Sequence, residues 1–167
     1  MSQDAAPPTL VVRLTKLSDD GRRFEYRRPD GTGEAFDLEA DSFLFHDLLH
    51  FAVETEANLQ GSLYGLLAKV GGYAELSVAG GAALGGEIAV TERVVAALAG
   101  ALETEDLDAD AFAEQAIGYL DAHDERAPRW FTPAFVLRVR ERMRQLEGQW
   151  RAMPFGETME LSFPLAR

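Results

Sequence analysis

The sequence predicts an α+β domain, with an antiparallel sheet of about four strands covered on one face by about five helices. Three observations predict it. The first 40 residues read as short alternating runs separated by Asp/Gly turns, residues 41–152 read as a succession of amphipathic helices, and Thr158–Phe163 alternates again. A chain that opens and closes with strands can pair them in one sheet. At 167 residues the chain has the length of one domain whose core holds without disulfide or metal. Residues 1–8, ending in Pro7-Pro8, read as a disordered tail, and residues 9–167 as that single domain.

Thr9–Leu17 carries Leu10, Val12 and Leu14 at alternate positions and is the first strand. Ser18-Asp19-Asp20-Gly21 turns the chain, and Arg22–Arg28 alternates through Phe24 and Tyr26. Pro29-Asp30-Gly31-Thr32-Gly33 is the second turn and Glu34–Leu38 the third strand, so the N-terminal part is a three-stranded meander. Its apolar face needs a cover, because a lone meander is marginal in water. Asp41 or Ser42 can cap a helix that runs to about Gln60, followed by a shorter one over Leu63–Val70 that Gly71-Gly72 ends. Leu76–Gly86 is glycine-rich and reads as a long loop. Glu87–Leu102 shows Ile88, Val94, Val95, Leu98 and Leu102 at helical spacing, and the acidic connector Glu103–Asp110 leads into a helix ending near Ala122. Thr132-Pro133 starts a last helix, which continues to about Ala152 until Pro154 and Gly156 stop it before the final strand.

The absence of cysteine excludes disulfides, thiol nucleophiles, thiolate zinc sites and iron–sulfur clusters. The first eight residues have neither the basic nor the apolar region of a signal peptide, and no apolar run reaches membrane-spanning length. A cytoplasmic protein with no membrane partner is the expectation. The formal charge is −12, which argues against nucleic acid and anionic lipid as partners. The charge is unevenly spread. Residues 41–125 hold 16 acids and 2 bases, whereas residues 126–151 hold 7 bases and 2 acids. A cation is the ligand such an acidic segment favours.

The chemistry concentrates in His46-Asp47-Leu48-Leu49-His50-Phe51-Ala52-Val53-Glu54. His46 and His50 are four residues apart, which on a helix puts their Cβ atoms about 6 Å apart on one face. Such a pair is how a helix supplies half of a tetrahedral zinc site. Glu54 extends the row, so the three lie within about 80° of arc at about 100° per residue. The rise from His46 to Glu54 is about 12 Å, too long for one ion to hold all three. Either His46 and His50 bind, or His50 and Glu54 bind, and the spare member orients a ligand. His123 is the candidate for a further ligand, and Asp47 for a base. The alternatives are an ordinary solvated strip with incidental histidines and a purely structural buried network. The breadth of the apolar arc, from Leu44 and Phe45 to Val53 and Leu59, favours a strip that lines a cleft.

His46-Asp47-x-x-His50 resembles the HExxH signature of zinc metalloproteases, with Asp47 where that family has its catalytic Glu. The resemblance implies a divalent ion, zinc first, and metal-assisted hydrolysis. The family's distal third ligand has no recognisable counterpart. His46, Asp47, Leu48, His50, Phe51, Val53 and Glu54 also resemble the HDLxHFxVE-type helix of small uncharacterised bacterial proteins. That likeness implies that the segment acts as a unit and carries no mechanism.

Two other signals fail. Asp106-Leu107-Asp108-Ala109-Asp110 opens like a calcium loop, but Ala111 stands where glycine is required and Ile117 where glutamate is. Gly81–Glu87 has the glycine spacing of a phosphate loop, but Glu87 occupies the place of its lysine. The helix Thr132–Ala152 has an apolar stripe bordered by Arg138, Arg140, Arg142, Arg144 and Arg151. It is read as core packing with a solvated rim, as the surface for a homodimer or an acidic protein partner, or as a clamp for a substrate carboxylate or phosphate. The function alternative to metal chemistry is therefore a non-catalytic interaction or assembly module.

Overall fold

Leu10, Val12 and Leu14 point to one side of the first strand and are buried, and their partners in the neighbouring strands share that side. The computed structural model describes residues 6–39, 41–69, 71–77, 85–123 and 125–166. Its strands are β1 (Thr9–Lys16), β2 (Gly21–Arg27), β3 (Gly33–Glu39) and β4 (Thr158–Pro164), all antiparallel in one open sheet of order β3-β2-β1-β4. The predicted pairing of the closing strand with the meander is thus observed, and β4 takes the edge beside β1. Val12 faces Tyr26 on one side and Leu161 on the other, and Leu14 likewise faces Phe24 and Met159. The opposite face is wet and charged: Arg13 lies 2.9 Å from Glu160 and Arg23 lies 2.8 Å from Asp37. One-sided burial fixes this register, since a slip of one residue would turn Leu10, Val12 and Leu14 to water.

The helices are α1 (Asp41–Glu56), α2 (Leu63–Leu67), α3 (Tyr73–Ser77), α4 (Gly86–Glu103), α5 (Ala109–Ala122) and α6 (Pro133–Ala152). α1 packs on α4 and α6 and meets β4, and α5 packs on α4 and α6, so the four long helices close a ring whose α1 side lies towards the sheet. Asp108 caps α5 by accepting from the Ala111 N–H at 2.8 Å. Thr132 caps α6 through the Phe135 N–H at 3.2 Å, with Pro133 in its first turn.

Three boundaries differ from expectation. α1 stops at Glu56, before Gln60, because Asn58 turns left-handed at φ 52°. α2 ends at Leu67, with Val70 outside the described residues. Gly71-Gly72 is followed by the single turn α3, where a loop is expected from Leu76 onward. Tertiary packing explains that turn: the buried Tyr73 ring lies 4.4 Å from that of Phe24 and 5.0 Å from that of Phe36. Most of the expected glycine-rich loop, residues 78–84, and most of the N-terminal tail, residues 1–5, lie outside the described residues, as do the side chains expected to cap α1.

The arginine border of α6 is partly spent inside the molecule. Arg138 lies 3.1 Å from Glu56, and Arg140 donates to the Leu107 carbonyl at 2.6 Å while covering the Phe112 ring. Among the described residues, no helix is long and apolar enough to cross a membrane.

Candidate metal centre

α1 is enclosed on nearly every side from Leu44 to Glu54. Asp47, His50 and Glu54 are fully buried. The polar strip is therefore no solvated face: α4 lies over it and adds Glu92. His46, His50 and Glu92 each offer one ligand atom, and these atoms lie within 4.8 Å of one another, so the group could hold a metal ion.

The two imidazoles are arranged alike. Nε2 of His50 lies 3.1 Å from Glu92 Oε1, and Nε2 of His46 lies 3.4 Å from Glu92 Oε2. The rings stand edge to face with centroids 4.5 Å apart. Behind each ring is a carboxylate. His50 Nδ1 sits 3.0 Å from Glu54 Oε1, and His46 Nδ1 sits 3.9 Å from Asp47 Oδ1. The first is a hydrogen bond and the second an electrostatic contact. His50 Nε2, although close to Glu92, makes no well-aimed hydrogen bond. A buried nitrogen near an acceptor it does not point at is what a ligand set shows when donor atoms face a common point rather than each other. In a tetrahedral site with bonds of about 2.0–2.2 Å the donor atoms stand about 3.3–3.6 Å apart; here the two nitrogens stand 3.1 and 3.4 Å from different oxygens of Glu92.

The outer carboxylates are themselves held. Glu54 Oε2 accepts from the Tyr64 N–H at 2.9 Å. Asp47 Oδ2 accepts from Arg22 Nη2 at 3.0 Å and from the Tyr73 hydroxyl at 2.5 Å, and the Asp47 carbonyl accepts from the Tyr64 hydroxyl at 2.7 Å. Arg22 belongs to the inward face of β2, so the sheet, α2 and α3 all converge on the row behind the histidines.

These charges set the protonation of the site. Burial pulls the His50 imidazole down, but Glu54 and Glu92 on its two nitrogens outweigh this and push it up to about 9. Burial likewise opposes protonation of His46, and the neighbouring Asp47 and Glu92 carboxylates leave it raised. Burial would raise Glu92, yet the two imidazoles bring its carboxyl down to about 2.

Of the residues singled out in the sequence, His46 and His50 come together, and Glu54 takes the place behind His50. Asp47 lies behind His46, its carboxylate held by Arg22 and Tyr73. That position suits orienting the ring and leaves Asp47 poorly placed to act as a base on the ion. His123 ends α5 on the surface, its ring stacked on Tyr119 at 4.1 Å and its Nδ1 donating to the Tyr119 carbonyl at 2.7 Å. It stands outside the group of three. Glu92 is the member that sequence reasoning missed. Its signal was present: Glu92 falls four residues after Ile88 and three before Val95, an acid inside the apolar stripe of its helix. No family model, no curated protein and no solved structure matches the chain.

Proposed function

We propose that this protein binds a divalent ion, zinc in the first place, through Nε2 of His46, Nε2 of His50 and the Glu92 carboxylate. The carrying observation is that two imidazoles and one carboxylate bring ligand atoms within 4.8 Å of one another, each imidazole backed by a second carboxylate. Two nitrogens and one oxygen suit zinc, and three protein ligands leave a position for water. That position faces outward, since the side chains of His46 and Glu92 are 29% and 22% exposed. A centre of this kind supports metal-assisted hydrolysis, in which the ion acidifies its water and polarises the bond to be cut. Glu54 and Asp47 are positioning residues that fix ring orientation and raise ligand basicity. The histidine pair of the HExxH resemblance supports this reading, whereas the HDLxHFxVE-type likeness adds no mechanism to it.

The test is the metal content of untagged protein, with zinc binding followed by calorimetry. Roughly stoichiometric metal, lost in a His46→Ala/His50→Ala double variant and in Glu92→Gln, supports the proposal. A metal-free wild type whose melting temperature zinc leaves unchanged overturns it.

One observation favours a second reading. The contacts of His50 and His46 to Glu92, 3.1 and 3.4 Å, can by themselves join α4 to α1 as ion pairs. On that reading the cluster is structural, and the protein is an assembly module whose outward arginines, Arg142, Arg144 and Arg151, meet a second copy or an acidic partner. Light scattering of wild type against an Arg142→Glu/Arg144→Glu variant tests it, with loss of a dimer as the expected outcome.

A further inference from the structure

Glu92 has a second side. Besides facing the two histidines, it lines a cavity of about 350 Å³ between α4 and α5. We propose that this cavity is the substrate cleft of the metal centre and that it takes a small oxyanion, a carboxylate or phosphate monoester group, held by Arg93. The inference rests on the metal reading above.

Four features of the cavity point to that ligand. Arg93 is one of only two bases among residues 41–125, against 16 acids, and it stands in this wall next to the candidate ligand. Its Nε is 3.2 Å from Glu125, an ion pair at 40% and 33% exposure that orients the guanidinium and leaves the two Nη groups for a bidentate partner. Tyr119 and His123, stacked on each other with rings 28° apart, also line the cavity. Ala89 and Ala96 keep the space open. A volume near the low end of the ligand-pocket range of about 300–1,000 Å³ limits the occupant to a small molecule.

The charge balance adds a condition. An anion entering this acidic segment meets repulsion that Arg93 alone does not offset, so the ion at His46, His50 and Glu92 supplies the rest. Oxyanion affinity is therefore coupled to metal.

Benzoate and phenyl phosphate, titrated by calorimetry onto the full chain with and without zinc, test this. At least one binds the zinc-loaded protein, and the better of the two names the oxyanion. Arg93→Gln weakens that binding by about tenfold or more while zinc affinity stays unchanged. Ala96→Leu, an exposed helical position where leucine is well tolerated, blocks the cavity with the same effect. Zinc binding with no oxyanion binding, or with binding that Arg93→Gln and Ala96→Leu leave untouched, overturns the cleft and spares the metal centre. Oxyanion binding that zinc leaves unchanged, or that occurs in a chain that takes up no metal, overturns the coupling and with it the assignment of this cavity to a metal centre.

Discussion

Asp47 and Glu54 occupy equivalent places behind two histidines, yet they differ in what holds them. Asp47 is tied to a buried cation, Arg22, at 3.0 Å. Removing one partner of such a pair strands the other charge in the core, which costs about 3–5 kcal/mol. Arg22→Ala should lower stability by about that amount in urea unfolding, and a loss below about 1 kcal/mol would mean that the pair contributes no more than a surface contact. Glu54 is tied to the backbone N–H of Tyr64 and to the His50 ring. Glu54→Gln keeps an oxygen for the N–H and removes the charge that makes His50 a strong ligand. Zinc affinity should fall about 10–100-fold, with a smaller change in melting temperature than Arg22→Ala causes. An unchanged affinity would detach Glu54 from the centre. The His50–Glu54 pair was legible from its spacing, but the contacts to Arg22, Tyr64 and Tyr73 were not. Arg22 sits among Arg23, Arg27 and Arg28, and only the strand phase, which puts residues 22, 24 and 26 on one face, distinguishes it.

At the scale of elements, the centre depends on how closely α2 approaches the chain leaving α1. Gly65 allows that approach: a Cβ there would stand 2.2 Å from the Gln60 carbonyl oxygen. Gly65→Ala must push α2 outward and draw the Tyr64 N–H away from Glu54. The expected cost is about 1–3 kcal/mol, accompanied by weaker zinc binding although no ligand has changed. Calorimetry on a variant that retains its circular dichroism checks it, and full zinc affinity there would show that Glu54 needs no support from α2. The sequence carried the long helices and the strands well, because periodicity and caps are local: Thr132-Pro133, Asp108, Pro154 and Gly156 act where they stand. It carried α3 badly, because that turn exists to seat Tyr73 against Phe24 and Phe36 from the sheet, a contact between residues about 40–50 apart in the chain. Glu92 was missed for the same reason. Its partners belong to α1, and an acid on an acidic chain draws no attention until its phase within the α4 stripe is counted.

Across the whole molecule, the cluster ties stability to pH with opposite signs depending on metal. In the metal-free chain His50 is raised from an ordinary 6.5 to about 9, so the stabilisation it gives is fully present below 6.5 and is lost as pH rises to 9. Glu92 is lowered from 4.5 to about 2, so its contribution is present above 4.5 and is lost as pH falls towards 2. The metal-free protein should therefore be most stable between about pH 4.5 and 6.5 as far as these groups are concerned, with the melting temperature declining by several degrees from 6.5 to 9. An ion competes with the proton on His50, so zinc binding tightens across that same upper window and releases protons as it occurs. The zinc-induced rise in melting temperature should grow steadily from pH 6.5 to 9, and calorimetry in buffers of different ionisation enthalpy should count about one or more protons released per ion near neutral pH. A decline with pH that zinc does not reverse would leave the cluster as an ion-pair joint between α1 and α4. A zinc-dependent rise with no proton release would place the ion elsewhere than on His50.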